Sequence, residues 1–115
     1  MEQDGSNPIR INCVILNFND EETVARLVHM IHDYDYLEKI VLVDNHSTDD
    51  SWEQLQVLKD EKVELIRTEK NGGYGYGNNT GIRYAIEHNG ATHVLVANPA
   101  EGYGIFLENM LTTAG

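Results

Sequence analysis

One cysteine, few cations and no long apolar run narrow this chain before any motif is read. Cys13 is the only cysteine, so no internal disulfide can form. It sits inside an apolar run and reads as a buried core thiol, since free cysteine is among the most buried residue types. A single thiol suits a reducing cytoplasm. Lysine and arginine number 8 against 19 aspartates and glutamates, a formal net charge of -11. That balance argues against a binder of duplex nucleic acid, whose affinity rests on cations meeting phosphates, and against simple adhesion to an anionic membrane. No apolar stretch approaches the roughly 20 residues of a membrane span, and the short polar segment 1–7 is not a signal peptide. Two phosphate-binding fingerprints are missing as well. Gly72, Gly73, Gly75 and Gly77 fit G-x-G-x-x-G in no register, and no Gly-Lys-Ser/Thr follows them. His29 and His32 are three apart on one helical stretch with no further metal ligand in view.

What is present is the composition of a globular domain: 41% hydrophobic and 23% charged over 115 residues, enough for one small domain with one modest core. Residues 9–16 (IRINCVIL), 39–44 (KIVLVD), 63–67 (VELIR) and 92–97 (THVLVA) are short apolar runs that read as buried strands. Amphipathic stretches separate them. Asn19, with Glu22 three residues on, opens a helix carrying Val24, Leu27, Val28 and Ile31. A second helix covers 50–59, capped by Asp50 with Glu53 at its third position, and turns Trp52, Leu55 and Leu58 inward. After a glycine-rich loop at 71–77, a third helix covers 78–88 on Ile82, Ala85 and Ile86, and Asn89-Gly90 stops it. Residues 105–113 read as a short final helix. The alternation predicts a Rossmann-like α/β domain with a mostly parallel sheet of about four strands flanked by helices.

In such sheets ligands bind beyond the carboxyl ends of the strands. That edge gathers four segments rich in Asn, Asp and Gly: 17–19, 44–49, 71–79 and 98–101. Asp44 ends an apolar strand, where its carboxylate can accept a hydrogen bond from a nucleobase or ribose; alternatively it caps the turn to Ser47. Asn45 and Ser47 share that turn, while Asp49 and Asp50 have the look of helix-start residues. His46 is either a solvated turn residue or a ligand contact. The third helix offers its N-terminal amides to an anion, and Tyr74 and Tyr76 either stack on a ligand or pack the loop. An acidic protein that binds a phosphorylated ligand needs such local help, or a divalent metal. Glu101 is the carboxylate placed to hold one.

The runs CVILNFND, IVLVDNHSTDDS, EKNGGYGYGNNTGIRYA and THVLVANP together resemble the N-terminal half of family 2 glycosyltransferases. The likeness is strongest to the rhamnosyltransferase-like branch, with motifs near VDN-x-S-x-D, N-x-G-[FY]-[AG]-x-G-x-N-x-G and L-x-N-P-D. The resemblance implies a GT-A fold and a nucleotide-diphosphate sugar donor such as a UDP- or dTDP-sugar. It also implies transfer to a saccharide acceptor in polysaccharide biosynthesis, in the cytoplasm or peripherally at the inner face of the membrane. By the same likeness Asp44 meets the base, Leu16 and Asn17 line the base pocket, and Gly73, Asn78 and Asn79 wall the ribose and phosphates. Asn98 matches the first position of the motif whose Asp holds Mg2+ or Mn2+; that Asp is replaced by Ala100. In the family the acceptor site and catalytic base follow in a second half. The expectation is therefore a single nucleotide-sugar-binding domain over 1–115, truncated on its C-terminal side and inactive alone, with no catalytic residue identified. The alternative is a degenerate, non-catalytic binding or interaction module, and apolar surface left bare by a half-domain would favour a homodimer.

Overall fold

The computed structural model describes residues 8–97 and 107–110. Its chain order is β1 (Ile11–Asn17), α1 (Glu21–Ile31), β2 (Leu37–Asp44), α2 (Ser51–Leu55) continued by a 3-10 turn (Gln56–Leu58), β3 (Val63–Arg67), α3 (Tyr74–Asn89), β4 (His93–Ala97) and β5 (Leu107–Met110). The strands form one sheet in the order β3-β2-β1-β4-β5. β1 to β4 run parallel and β5 pairs antiparallel with β4. Successive strands step outward from β1 to β3, and the chain then returns across β1 to β4. The strand order therefore reverses beside β1, the position where open α/β sheets form a ligand crevice.

Alternate side chains of the apolar strands enter two separate cores. Cys13, Ile15, Ile40 and Leu42 pack against α1 and α2 through Val24, Leu27, Val28, Ile31 and Leu55. Val14, Val41, Val43, Val94 and Val96 pack under α3 against Ile82 and Ala85. A sheet covered on both faces needs apolar residues at consecutive positions, which is why these strands read as unbroken runs. Burial pushes the Cys13 thiol up to about 12, so it stays protonated and inert. Among the described residues no helix is long and apolar enough to cross a membrane.

Four expectations need correction. Asn19 does not cap α1; the cap is Asp20, without a side-chain hydrogen bond. Asn19 instead adopts a left-handed backbone (φ 53°) and turns its amide onto the 44–49 loop. The second helix does not run to residue 59. It tightens into a 3-10 turn after Leu55, with Asp50 accepting from Gln54 Nε2 rather than from the helix start. The third helix begins at Tyr74, not Asn78, so the end of the glycine-rich segment is its first turn. Two glycines of this helix face the sheet at close range. A Cβ on Gly77 would lie 2.4 Å from Leu16 Cδ1, and one on Gly81 would lie 2.5 Å from Val14 Cγ1. Their bareness lets α3 lie close on the sheet, and that packing outweighs their poor helix propensity. Finally, 107–110 is a strand, not part of a helix; its backbone pairs with β4 (Val94↔Met110, Ala97↔Leu107), satisfying an edge that would otherwise stay open.

A clamp ties α1 to the start of β3. Both ring nitrogens of His32 face carboxylates, Nδ1 at 2.9 Å from Asp33 Oδ1 and Nε2 at 2.8 Å from Asp60 Oδ2. Asp60 also accepts from the backbone of Lys62 and Val63. The hydrogen bonds to Asp33 and Asp60 raise the His32 pKa. Those from Val63, His32 and Lys62 lower that of Asp60. A raised histidine stabilises the fold fully below its unfolded value near ~6.5 and loses that contribution as pH rises through the folded value. The Asp60 contribution runs the other way and fades in acid. Because these groups are partly exposed, the clamp contributes about 0.5 kcal/mol or less. Urea midpoints measured from pH 5.5 to 8 should show a small alkaline decline in the wild type that His32→Asn lacks. Parallel profiles would remove the clamp.

Candidate nucleotide-sugar site

Parallel register assembles the site. Asn17, Asp44 and Arg67 are the last residues of β1, β2 and β3, and they are direct neighbours across the sheet (Asn17↔Asp44, Asp44↔Arg67). Three residues far apart in sequence thus leave the sheet side by side at its carboxyl edge.

Asp44 is completely buried and its carboxylate turns back into the loop rather than out to solvent. Oδ1 accepts from Asn17 Nδ2 (2.9 Å) and Ser47 Oγ (2.6 Å), and Oδ2 accepts from Ser47 N (3.1 Å). Arg67 Nε stands 3.4 Å from Oδ2. Of the two readings of Asp44, turn cap and exposed ligand group, the geometry displays the first. A charge without solvent is sustained only when it is paired and hydrogen-bonded, and here every partner is in place.

Asn19 joins the first loop to the second. Its Oδ1 accepts from Thr48 N (2.9 Å) and Asp49 N (3.2 Å), while Nδ2 donates to Thr48 Oγ1 (3.0 Å). Asn45 joins the second loop to the third: Nδ2 donates to Asn71 Oδ1 and Gly73 O (3.2 Å each), and Oδ1 accepts from Thr68 Oγ1 (3.0 Å). His46, at φ 63°, donates from Nδ1 to Thr68 O (3.1 Å). Gly73, at φ 95°, precedes α3, and its amide donates to Asn71 Oδ1 (3.0 Å). Much of the Asn/Asp richness of this edge therefore fastens three loops to one another, which makes a rigid rim.

Leu16 is half-buried against Gly77. Asn78 is buried where the second turn of α3 begins, and its Oδ1 has no partner. A buried amide oxygen with nothing to accept costs free energy until something donates to it. The structure does not bring Asn79 to this group: it lines a groove of about 290 Å³ along the flank of α3, with Ile82, Arg83, Ile86 and Glu87. Asn98, Ala100 and Glu101 lie outside the described residues. Among the described residues no three His, Cys, Asp or Glu side chains gather as a metal site.

Sequence reasoning passed over Arg67 and Phe18. Arg67 stands over the ring of Trp52, 5.5 Å from its centroid, and Nη2 donates to Ser47 O (3.2 Å). Among the described residues, Phe18 and Tyr74 are exposed aromatic side chains at this edge. The available signal for Arg67 was its place as the final residue of a strand parallel to the one ending in Asp44.

The family model described as glycosyl transferase family 2 matches residues 13–88, a span containing all three fastened loops. The low-salt glycan biosynthesis hexosyltransferase Agl10 of Haloferax volcanii is 34% identical over 89 residues, covering 77% of this chain and 27% of that protein. This chain thus spans little more than a quarter of that relative's length. The mannosyltransferase PcManGT from Pyrobaculum calidifontis, solved with GDP-Man and Mn2+, superposes with a TM-score of 0.65 at 18% identity, over 82% of this chain and 28% of that one. TarS 1-349 of S. aureus, solved with UDP-GlcNAc, superposes with a TM-score of 0.66 at 20% identity, over 79% and 26%. The likeness to both solved enzymes is one of fold, with the parallel sheet and flanking helices of the GT-A type. From its ordered motifs, its sheet and the family match over residues 13–88, the chain belongs to family 2 of the glycosyltransferases.

Proposed function

We propose that this domain binds the nucleotide of a nucleotide-diphosphate sugar at the carboxyl edge of its sheet, for transfer of the sugar to a saccharide acceptor. The observation that carries the reading is the family match over 13–88, which encloses the rim built by Asn17, Asp44, Asn45 and Ser47. Leu16 and Asn17 border the base, Gly73 and the Asn78 amide face the ribose and phosphates, and Asp44 keeps the rim in shape. Pre-set hydrogen-bonding groups of this kind lower the ordering cost of binding. The relative from H. volcanii is named as a hexosyltransferase in glycan biosynthesis, in keeping with a saccharide acceptor. A divalent ion, if held by Glu101, would offset the charge of the diphosphate. Deprotonating the acceptor hydroxyl calls for a carboxylate base, and none of the described side chains is assigned that part. A second reading, a binding module without transfer activity, is favoured by one observation: Ala100 stands where the family places its metal-holding Asp.

Titration calorimetry with UDP, dTDP and GDP, each with and without Mn2+, tests both. Binding of one diphosphate that strengthens with Mn2+ supports a complete donor site. Metal-independent binding supports the nucleotide pocket and moves weight to the second reading. No heat with any of the three, in either condition, overturns the donor site.

A further inference from the structure

Arg67 is held on three sides. Its Nε faces Asp44 Oδ2 at 3.4 Å, Nη2 donates to the Ser47 carbonyl at 3.2 Å, and Trp52 lies under the guanidinium at 5.5 Å. The Asp44 side chain has no exposure and that of Arg67 has 35%, so the pair closes the bottom of the rim while part of the guanidinium reaches solvent. A planar fork is required here, because one group must meet a carboxylate, a carbonyl and an aromatic face together; a lysine ammonium is a point charge and cannot. The two contacts bracket the turn 44–47 from one end to the other. That same turn offers Ser47 to Asn17 and to the Asn19 backbone (Asn17 Nδ2 to Ser47 Oγ 3.2 Å, Asn19 N to Ser47 Oγ 2.9 Å), so a shift at Arg67 would pass to the loop that follows β1.

We propose that Arg67 is a positioning residue of the nucleotide site: it clamps Asp44 to Ser47, fixes the geometry of the rim, and affects nucleotide affinity through Asp44 rather than by touching the ligand. The inference rests on the nucleotide-binding reading above. Trp52 is the sole tryptophan, so its emission reports on the guanidinium without a label.

A double-mutant cycle measures whether the two residues act as one. Affinities for UDP, dTDP and GDP are taken by calorimetry for the wild type, Arg67→Met, Asp44→Asn and the double variant, and Trp52 emission is recorded without nucleotide. Arg67→Met should shift Trp52 emission and weaken binding about tenfold, the worth of one charged hydrogen bond. In the Asp44→Asn background the same change should cost less than about twofold. Arg67→Met leaves a buried carboxylate; if it fails to fold, Arg67→Lys, which keeps the charge but loses the fork, should still weaken binding about threefold or more. Equal losses in both backgrounds would mean that Arg67 meets the ligand directly and would overturn the proposal. So would unchanged affinity in the Arg67 variants of a chain that binds. Absence of binding by the wild type is a different failure: it removes the nucleotide reading itself, and this inference with it.

Discussion

Gly81→Val is expected to unfold the domain or leave it with loose tertiary packing. A Cβ at position 81 would lie 2.5 Å from Val14 Cγ1 and 2.7 Å from Val43 Cγ2. Both neighbours are fully buried and belong to the two central strands, and β-branched side chains have little rotamer freedom with which to yield. Alanine alone sets two effects against each other. It gains about 1 kcal/mol of helix propensity over glycine, and overpacking costs about 1–3 kcal/mol; with contacts below 3 Å on both sides, the second prevails. Valine adds two methyl groups to the same gap and should cost upwards of about 3 kcal/mol, a large share of the roughly 5–15 kcal/mol that holds a small domain together. Gly77→Ala should be milder, because its nearest neighbour is the half-buried, flexible Leu16. Urea unfolding should therefore rank stability as wild type, Gly77→Ala, Gly81→Ala, Gly81→Val. A Gly81→Ala protein as stable as the wild type would show that α3 does not lie as close to the sheet as the structure has it.

Asp44→Ala should be nearly as damaging, and for a reason separate from ligand binding. Removing the carboxylate leaves Ser47 N without an acceptor, strips Asn17 Nδ2 of its better partner and takes the anion from beside Arg67. Each buried donor left unpaired costs about 1–3 kcal/mol. Arg67 is partly hydrated and the Ser47 hydroxyl can turn elsewhere, so the sum is about 3 kcal/mol rather than the upper figure for a wholly buried ion pair. Asp44→Asn keeps the shape and one acceptor oxygen and should lose less than half as much. Denaturation of the two variants, alongside nucleotide titration, separates the roles. If Asp44→Ala loses nucleotide binding but unfolds at the wild-type midpoint, Asp44 is a ligand group that the buried geometry fails to display. If it loses both, the rim has collapsed, as the hydrogen bonds predict.

The resemblance to one family was legible in the chain and was borne out over 13–88, a span that holds three of the four motifs. The candidate site was legible as a place, because apolar strands ending in Asn and Asp mark their carboxyl ends wherever they lie. What each polar residue does there was less so. Asn19 had the spacing of a helix cap, yet it serves loop 48–49, some 29 residues away. Asn78 and Asn79 are adjacent, but a helix turns neighbouring side chains about 100° apart, so one is buried at the rim and the other lies along a flank. Arg67 looked like the end of a strand and nothing more.

The sequence by itself determined the alternation of strand and helix, the burial of the sheet on both faces and the edge at which polar residues collect. These follow from local periodicity, in which each residue's preference depends on neighbours a few positions away. Only the tertiary structure decided where α3 begins, why residues 107–110 form a strand, and that Asn17, Asp44 and Arg67 stand in register. The helix start depends on the close approach of Gly77 to Leu16 at the end of β1, the last strand on an open edge of β4, and the register on pairings between residues more than 20 positions apart. Contacts of that range are chosen by packing the whole sheet at once, and no window along the chain contains both partners.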